Sequence, residues 1–194
     1  MSEIARRLIA ENLKTKYPYL DLYDCGLTDL NEVPELFECV HLETLILSNI
    51  WVEFENGIMG KKSTQNKGRA NALKALPVGI NELKNIKKFV YKGNIHDTNS
   101  QITDISSLQG LTSLTDLDLS INQITDISFL QGLTALTNLD LSENQITDIS
   151  FLQGLTALTN LELGDNQITD ISSLQGLTAL TNLDLRNICN LVIT

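Results

Sequence analysis

The sequence predicts an α/β repeat solenoid. Its parts are a parallel β-sheet of about seven strands, short 3-10 or turn segments on the outer face, and a helix capping the N-terminal end. Three observations predict this architecture. Residues 101–122, 123–144, 145–166 and 167–188 are four nearly identical units of 22 residues. Each unit alternates leucine with polar residues across a short stretch, as in Leu117-Asp118-Leu119. The first three also place an asparagine three residues after that stretch, at Asn122, Asn144 and Asn166. A unit this short cannot bury its own apolar face, so neighbours must stack to make a core.

The elements follow in chain order. Residues 2–14 carry Ile4, Leu8, Ile9 and Leu13 at helical spacing, with Ser2 as candidate N-cap. An amphipathic capping helix is expected within residues 1–16. Tyr17, Leu20, Leu22, Cys25 and Leu27 then trace a first unit, in which Cys25 takes the asparagine position. Leu42, Leu45 and Leu47 open a second unit whose asparagine equivalent is Asn71, so about 50–70 is inserted. Ile86, Phe89, Tyr91 and Asn94 make a third, followed by extra residues at 95–100. Strand segments therefore begin at 17, 42, 86, 114, 136, 158 and 180. The whole chain, 1–194, reads as one domain: irregular units over 17–100, regular ones over 101–188 and a tail at 189–194.

Within each unit the leucines of the strand point inward and the residue between them outward. Stacked parallel strands lie about 4.8 Å apart. The asparagine amides then sit inside successive turns and satisfy backbone groups left unpaired there. Asp104, Asp126, Asp148 and Asp170, in the ITDIS segments, read as turn or cap residues. The final unit has Ile188 in place of the asparagine, and the tail ends Leu191-Val192-Ile193-Thr194. An open sheet edge is expected there. Either Leu191–Ile193 fold back as a cap, or two chains meet end to end as a weak homodimer, or the chain is a truncated array.

The pattern LxxLxLxxNxI resembles the leucine-rich repeats of the 22-residue class found in internalins and in a phosphatase-regulatory subunit. The resemblance implies a curved solenoid with its parallel sheet on the concave side. It is specific for fold and unspecific for function. The segments LDLYDCGLTDL, ETLILSN and QNKGRANALKALP also resemble leucine-rich domains of bacterial Roco-type proteins. No GxxxxGK[ST] phosphate loop occurs, so nucleotide hydrolysis does not carry over and a recognition role does.

Composition narrows the function classes. The net charge of −10 is uneven: residues 1–92 hold 13 Lys/Arg against 12 Asp/Glu, while 93–194 hold one arginine against 12 acids. Such a chain is a poor partner for nucleic acid. No apolar run reaches the ~20 residues needed to span a bilayer, and the N-terminus has no secretion-signal pattern. Three sparse cysteines, Cys25, Cys39 and Cys189, suit a reducing compartment. A cytoplasmic bacterial protein is expected. His41 and His96 lie in different units and form no catalytic or metal-ligand set, so no enzyme activity, metal or cofactor is expected.

The outward strand residues supply the candidate sites. Asp118, Asp140, Glu162 and Asp184 share one repeat position and predict an acidic column. It is either a surface for cations or a basic partner, or one solvated residue copied by duplication. The irregular half reads Asp21, Ile46 and Val90 at the same position, flanked by Tyr19, Tyr23, Lys88 and Lys92. The first insertion adds Trp51 and Phe54, which either anchor a partner or pin the loop, followed by Lys61, Lys62, Lys67 and Arg69. Tyr19, Tyr23, Ile46, Trp51, Lys88, Val90 and Lys92 are therefore the expected contact residues for a protein partner of unknown identity. The competing reading is a structural scaffold that assembles through its C-terminal end.

Overall fold

A computed structural model of the protein describes residues 3–48, 50–55, 58–94 and 101–188, and over 50–63 it describes the course of the backbone. After the helix α1 (Glu3–Thr15), the chain forms β1 (Tyr19–Asp21), β2 (Thr44–Ile46), β3 (Ile50–Glu55), β4 (Ile58–Ser63) and β5 (Lys88–Val90). The regular units add β6 (Asp116–Asp118), β7 (Asn138–Asp140), β8 (Asn160–Glu162) and β9 (Asn182–Asp184). Seven of these strands make one parallel sheet in the order β1-β2-β5-β6-β7-β8-β9. Each begins two residues into the unit start read from the sequence.

The inward row of the sheet is Leu20, Leu45, Phe89, Leu117, Leu139, Leu161 and Leu183, aligned by register. All but Leu183 are buried in one continuous core. Behind each regular strand the chain closes with a 3-10 turn, at Ser106–Leu108, Ser128–Leu130, Ser150–Gly154 and Ser172–Gly176. The aspartates of the ITDIS segments fix these turns. Asp104, Asp126, Asp148 and Asp170 each accept the backbone N–H two residues on at 2.8 Å.

The asparagines occupy the buried turns as expected. Asn144 Nδ2 donates to the carbonyls of Leu119 and Leu141 at 3.0 Å, and its Oδ1 accepts Ile124 N–H at 3.0 Å. Asn122 and Asn166 repeat the pattern one unit either side. The residue just before the asparagine is left-handed in each turn. Ile121, Glu143 and Asp165 have φ of 56°, 54° and 57°.

At the N-terminal end α1 covers the first unit with Ala5 and Ile9, while Leu8 and Leu13 pack against the core edge. Asn12 ties helix to sheet: Nδ2 donates to Tyr17 O at 2.9 Å and Tyr19 O at 3.1 Å, while Oδ1 meets His41 Nε2 at 2.8 Å. The Ser2 cap lies outside the described residues.

The first insertion contains an element that the sequence reading left unassigned. β3 and β4 form an antiparallel two-stranded sheet separate from the main one. The chain then returns along the first unit. Gly26 N–H donates to Arg69 O and Ala72 N–H to Leu27 O, both at 2.8 Å. Gly68 passes so close that a Cβ there would stand 1.9 Å from Asp24 O. The return ends at Asn71, which closes the second unit. The third unit carries Tyr91 in a leucine position, and its hydroxyl accepts Leu73 N–H at 3.0 Å and donates to Leu73 O at 3.2 Å. The second insertion, 95–100, and the tail, 189–194, lie outside the described residues. In β9, Leu183 is 42% exposed.

Candidate functional site: the outward face of the sheet

The strand register builds the outward column directly: Asp21, Ile46, Val90, Asp118, Asp140, Glu162 and Asp184 stand side by side across the sheet. Its chemistry changes between β5 and β6. Beyond that boundary come four carboxylates, three of which are held by hydrogen bonds or an ion pair. Asp118 Oδ1 accepts Ser120 N–H at 3.0 Å and Ser120 Oγ–H at 2.8 Å. Asp140 accepts the same pair from Ser142 at 3.0 and 2.6 Å. Asp184 is clamped by Arg186, whose Nη2 lies 2.6 Å from Oδ2.

Burial pushes the Asp118 carboxyl up to about 6, with the Asp140 charge adding to the rise and Lys92 opposing it. Glu162 is raised for the same two reasons in the same order. Asp184 is lowered by its hydrogen bond from Arg186. In the adjoining column the side chains bond one another: Asn138 Nδ2 donates to Asp116 Oδ1 at 2.8 Å, and Asn160 donates to Asn138.

On the other side of the boundary Ile46 and Val90 are 0% and 2% exposed and form a small cluster of their own, with Tyr19 packed against them. They stand in the expected column, but they are not the open apolar contacts that the sequence suggested. Strand alternation fixes which way a side chain points and leaves open what lies over it. Tyr19, Tyr23, Lys88 and Lys92 are half-buried. Trp51 lies in β3 opposite Lys62, and its side chain, like that of Phe54, falls outside the description.

A feature that the sequence reading missed is a cavity of about 430 Å³ at the N-terminal end of this face, open to solvent. The last turns of α1, the start of β1 and the return segment at Gln65–Asn66 line it. The rings of Tyr17 and Tyr19 meet edge to face there, with centroids 6.5 Å apart. No single stretch announces this cavity, because three separate segments contribute to it. The one signal in the sequence is Tyr17, an aromatic at the opening leucine position.

Burial, and then the charges of Asp21 and Asp24, push the Cys25 thiol up to about 12, far from a reactive thiolate. Among the described residues no cluster of three His, Cys, Asp or Glu side chains is placed to hold a metal. No helix among them is long and apolar enough to cross a membrane.

The fold and this face define a repeat solenoid with a continuous sheet surface. The chain belongs to the leucine-rich-repeat family: the model for leucine-rich repeats (2 copies) matches residues 94–132, 112–154, 134–175 and 156–193. Among solved structures it is similar to internalin C2 from Listeria monocytogenes, at 32% identity and a TM-score of 0.61, covering 88% of this chain and 71% of that one. A second Listeria monocytogenes internalin, InlF, matches at 23% identity and a TM-score of 0.60, covering 86% of this chain and 50% of that one. The plant peptide hormone receptor RGFR1, solved in complex with RGF2, shares the fold at 21% identity and a TM-score of 0.55, covering 78% and 25%. Comparison with curated proteins gives no match. The family commonly serves protein–protein interaction.

Proposed function

We propose that the chain is a non-enzymatic module that binds a protein partner through the N-terminal half of its sheet face. The observation that carries this reading is the change in the outward column between Val90 and Asp118. Beyond it the surface is uniform and largely satisfied by its own hydrogen bonds. Before it come two half-buried tyrosines, two lysines and the β3–β4 hairpin, a mixture of aromatic and charged groups of the kind in which binding energy concentrates. Ile46 and Val90 act in this reading as the apolar floor that holds Tyr19 in place, and Tyr19, Tyr23, Trp51, Lys88 and Lys92 make contact. The acidic column is a secondary surface for a basic partner. The unbridged, buried Cys25 and Cys39 fit a cytoplasmic setting in a bacterium.

Affinity capture from lysate followed by mass spectrometry identifies the partner. Calorimetry then compares Tyr23→Ala and Lys92→Glu with Asp140→Lys and Glu162→Lys, each checked for folding by circular dichroism. The first pair is expected to weaken binding and the second to leave it nearly unchanged. The opposite result assigns the site to the acidic column. The exposure of Leu183 supports a second reading, assembly through the C-terminal end. A mass unchanged by Val192→Lys in light scattering removes that support.

A further inference from the structure

We infer that the cavity between α1, β1 and the return segment is a binding pocket for a basic side chain, most fittingly the guanidinium of an arginine, presented by the protein partner. This rests on the reading that the partner lies over the N-terminal half of the sheet, and it adds what the partner must offer there.

The lining states the chemistry. Its walls include Leu8, Leu20 and the Tyr17–Tyr19 pair, and Tyr17 is 62% exposed. The charged residues in the lining are Glu11 and Asp21, both acids, with no lysine or arginine among them. The Glu11 carboxylate is exposed, makes no hydrogen bond or ion pair with any described residue and remains available as an acceptor. The neutral polar groups are already committed. The Asn12 amide is taken up by Tyr17, Tyr19 and His41, and Asn66 Nδ2 donates to Asp21 O at 3.0 Å and Tyr23 O at 2.9 Å. What stays open to an incoming group, beside the aromatic rings, is the Glu11 carboxylate and the acceptor capacity that Asp21 keeps beyond its bond from Tyr23 N–H at 3.0 Å.

That combination selects a cation with a flat, weakly hydrated body. A guanidinium stacks on a ring face while donating to a carboxylate. An anionic side chain would meet two carboxylates and no donor cation. A purely aliphatic one would further desolvate the Asp21 carboxyl, already penalised by burial and held by the neutral donors Tyr23 N–H and Thr64, without supplying a counter-charge.

The test uses the full chain and N-acetyl-arginine methylamide as probe, followed by NMR, with the uncharged, isosteric citrulline derivative as control. The expected result is saturable shifts of the Tyr17, Tyr19 and Asp21 signals by the arginine probe. Citrulline should bind about tenfold more weakly or less, since a charge-assisted pair is lost. Glu11→Gln and Asp21→Asn should each reduce the arginine response to the citrulline level while thermal melts stay at the parent value. Equal response to both probes overturns the proposal, as does arginine binding confined to Asp118–Asp184 or no response at all. If the pocket fails while Tyr23→Ala and Lys92→Glu still abolish partner binding, the broader surface reading stands without it. If those variants bind normally too, both readings fall.

Discussion

Asn71 Nδ2 donates to the carbonyl of Leu22 at 2.9 Å, a bond across 49 residues of sequence and a single step of the stack. The same amide donates to Leu47 O at 3.2 Å, and Asn71 Oδ1 accepts Leu27 N–H at 3.0 Å. Asn122 and Asn144 make the equivalent bonds three residues after their leucines. At Asn71 the identical joint is closed after a detour through the β3–β4 hairpin. The solenoid frame is thus continuous through the insertion, which hangs from an intact unit.

Asn144 gives the sharpest test of that joint. Asn144→Leu removes the partners of Leu119 O, Leu141 O and Ile124 N–H inside a buried turn. A cost on the order of 1–3 kcal/mol is expected. Chemical denaturation of the variant against the parent measures it, and equal midpoints would contradict the structural role.

Tyr91 carries a second buried polar joint. Tyr91→Phe keeps the ring in the core but strands Leu73 N–H and Leu73 O, with an expected loss of about 1–3 kcal/mol. The return segment should loosen with it. Faster amide exchange at Leu73 than in the parent, with exchange in β7 and β8 unchanged, is the expected pattern.

Ile121 is the β-branched member of the left-handed positions, at φ 56°, where the neighbouring units have Glu143 and Asp165. Left-handed backbone costs about 1–2 kcal/mol for an L-residue and less for asparagine. Ile121→Asn is therefore expected to stabilise the protein by about 1 kcal/mol, read as a higher melting temperature. A variant that melts lower than the parent would show that Ile121 contributes packing that outweighs its strain.

Asp118 predicts a pH dependence. Its folded value of about 6 lies above the ordinary aspartate value of 3.8, so the folded state binds a proton more readily than the unfolded chain. Stability from this group therefore falls as pH rises through that window and recovers on acidification. Asp118→Asn, which keeps an acceptor for Ser120, should stabilise by about 1 kcal/mol at pH 7, allowing for partial exposure. The advantage should vanish below pH 4. A constant difference from pH 4 to 7 would remove the charge explanation.

Much of this was legible in the residues. Repeat spacing alone located the seven strands, placed Asn122, Asn144 and Asn166 in turns, and identified Asn71 across its gap, because stacking permits few alternatives. The acidic column followed from strand alternation. The burial of Ile46 and Val90 did not, since alternation describes a strand and burial depends on what crosses it. The hairpin was hidden because residues 50–63 lack the repeat that organised every other assignment. The cavity was hidden because Glu11, Tyr17 and Asn66 become neighbours only once the helix and the return segment are in place.

The turn asparagines bond only within their own unit and the one before it, so every regular joint from β6 to β8 is interchangeable with the next. Deleting or duplicating one 22-residue unit recreates the same bonds at the splice. The array is therefore built so that its length can change by whole units. The distance from the N-terminal surface to whatever lies past residue 188 can lengthen or shorten in steps of about 4.8 Å, while the surface itself stays unaltered.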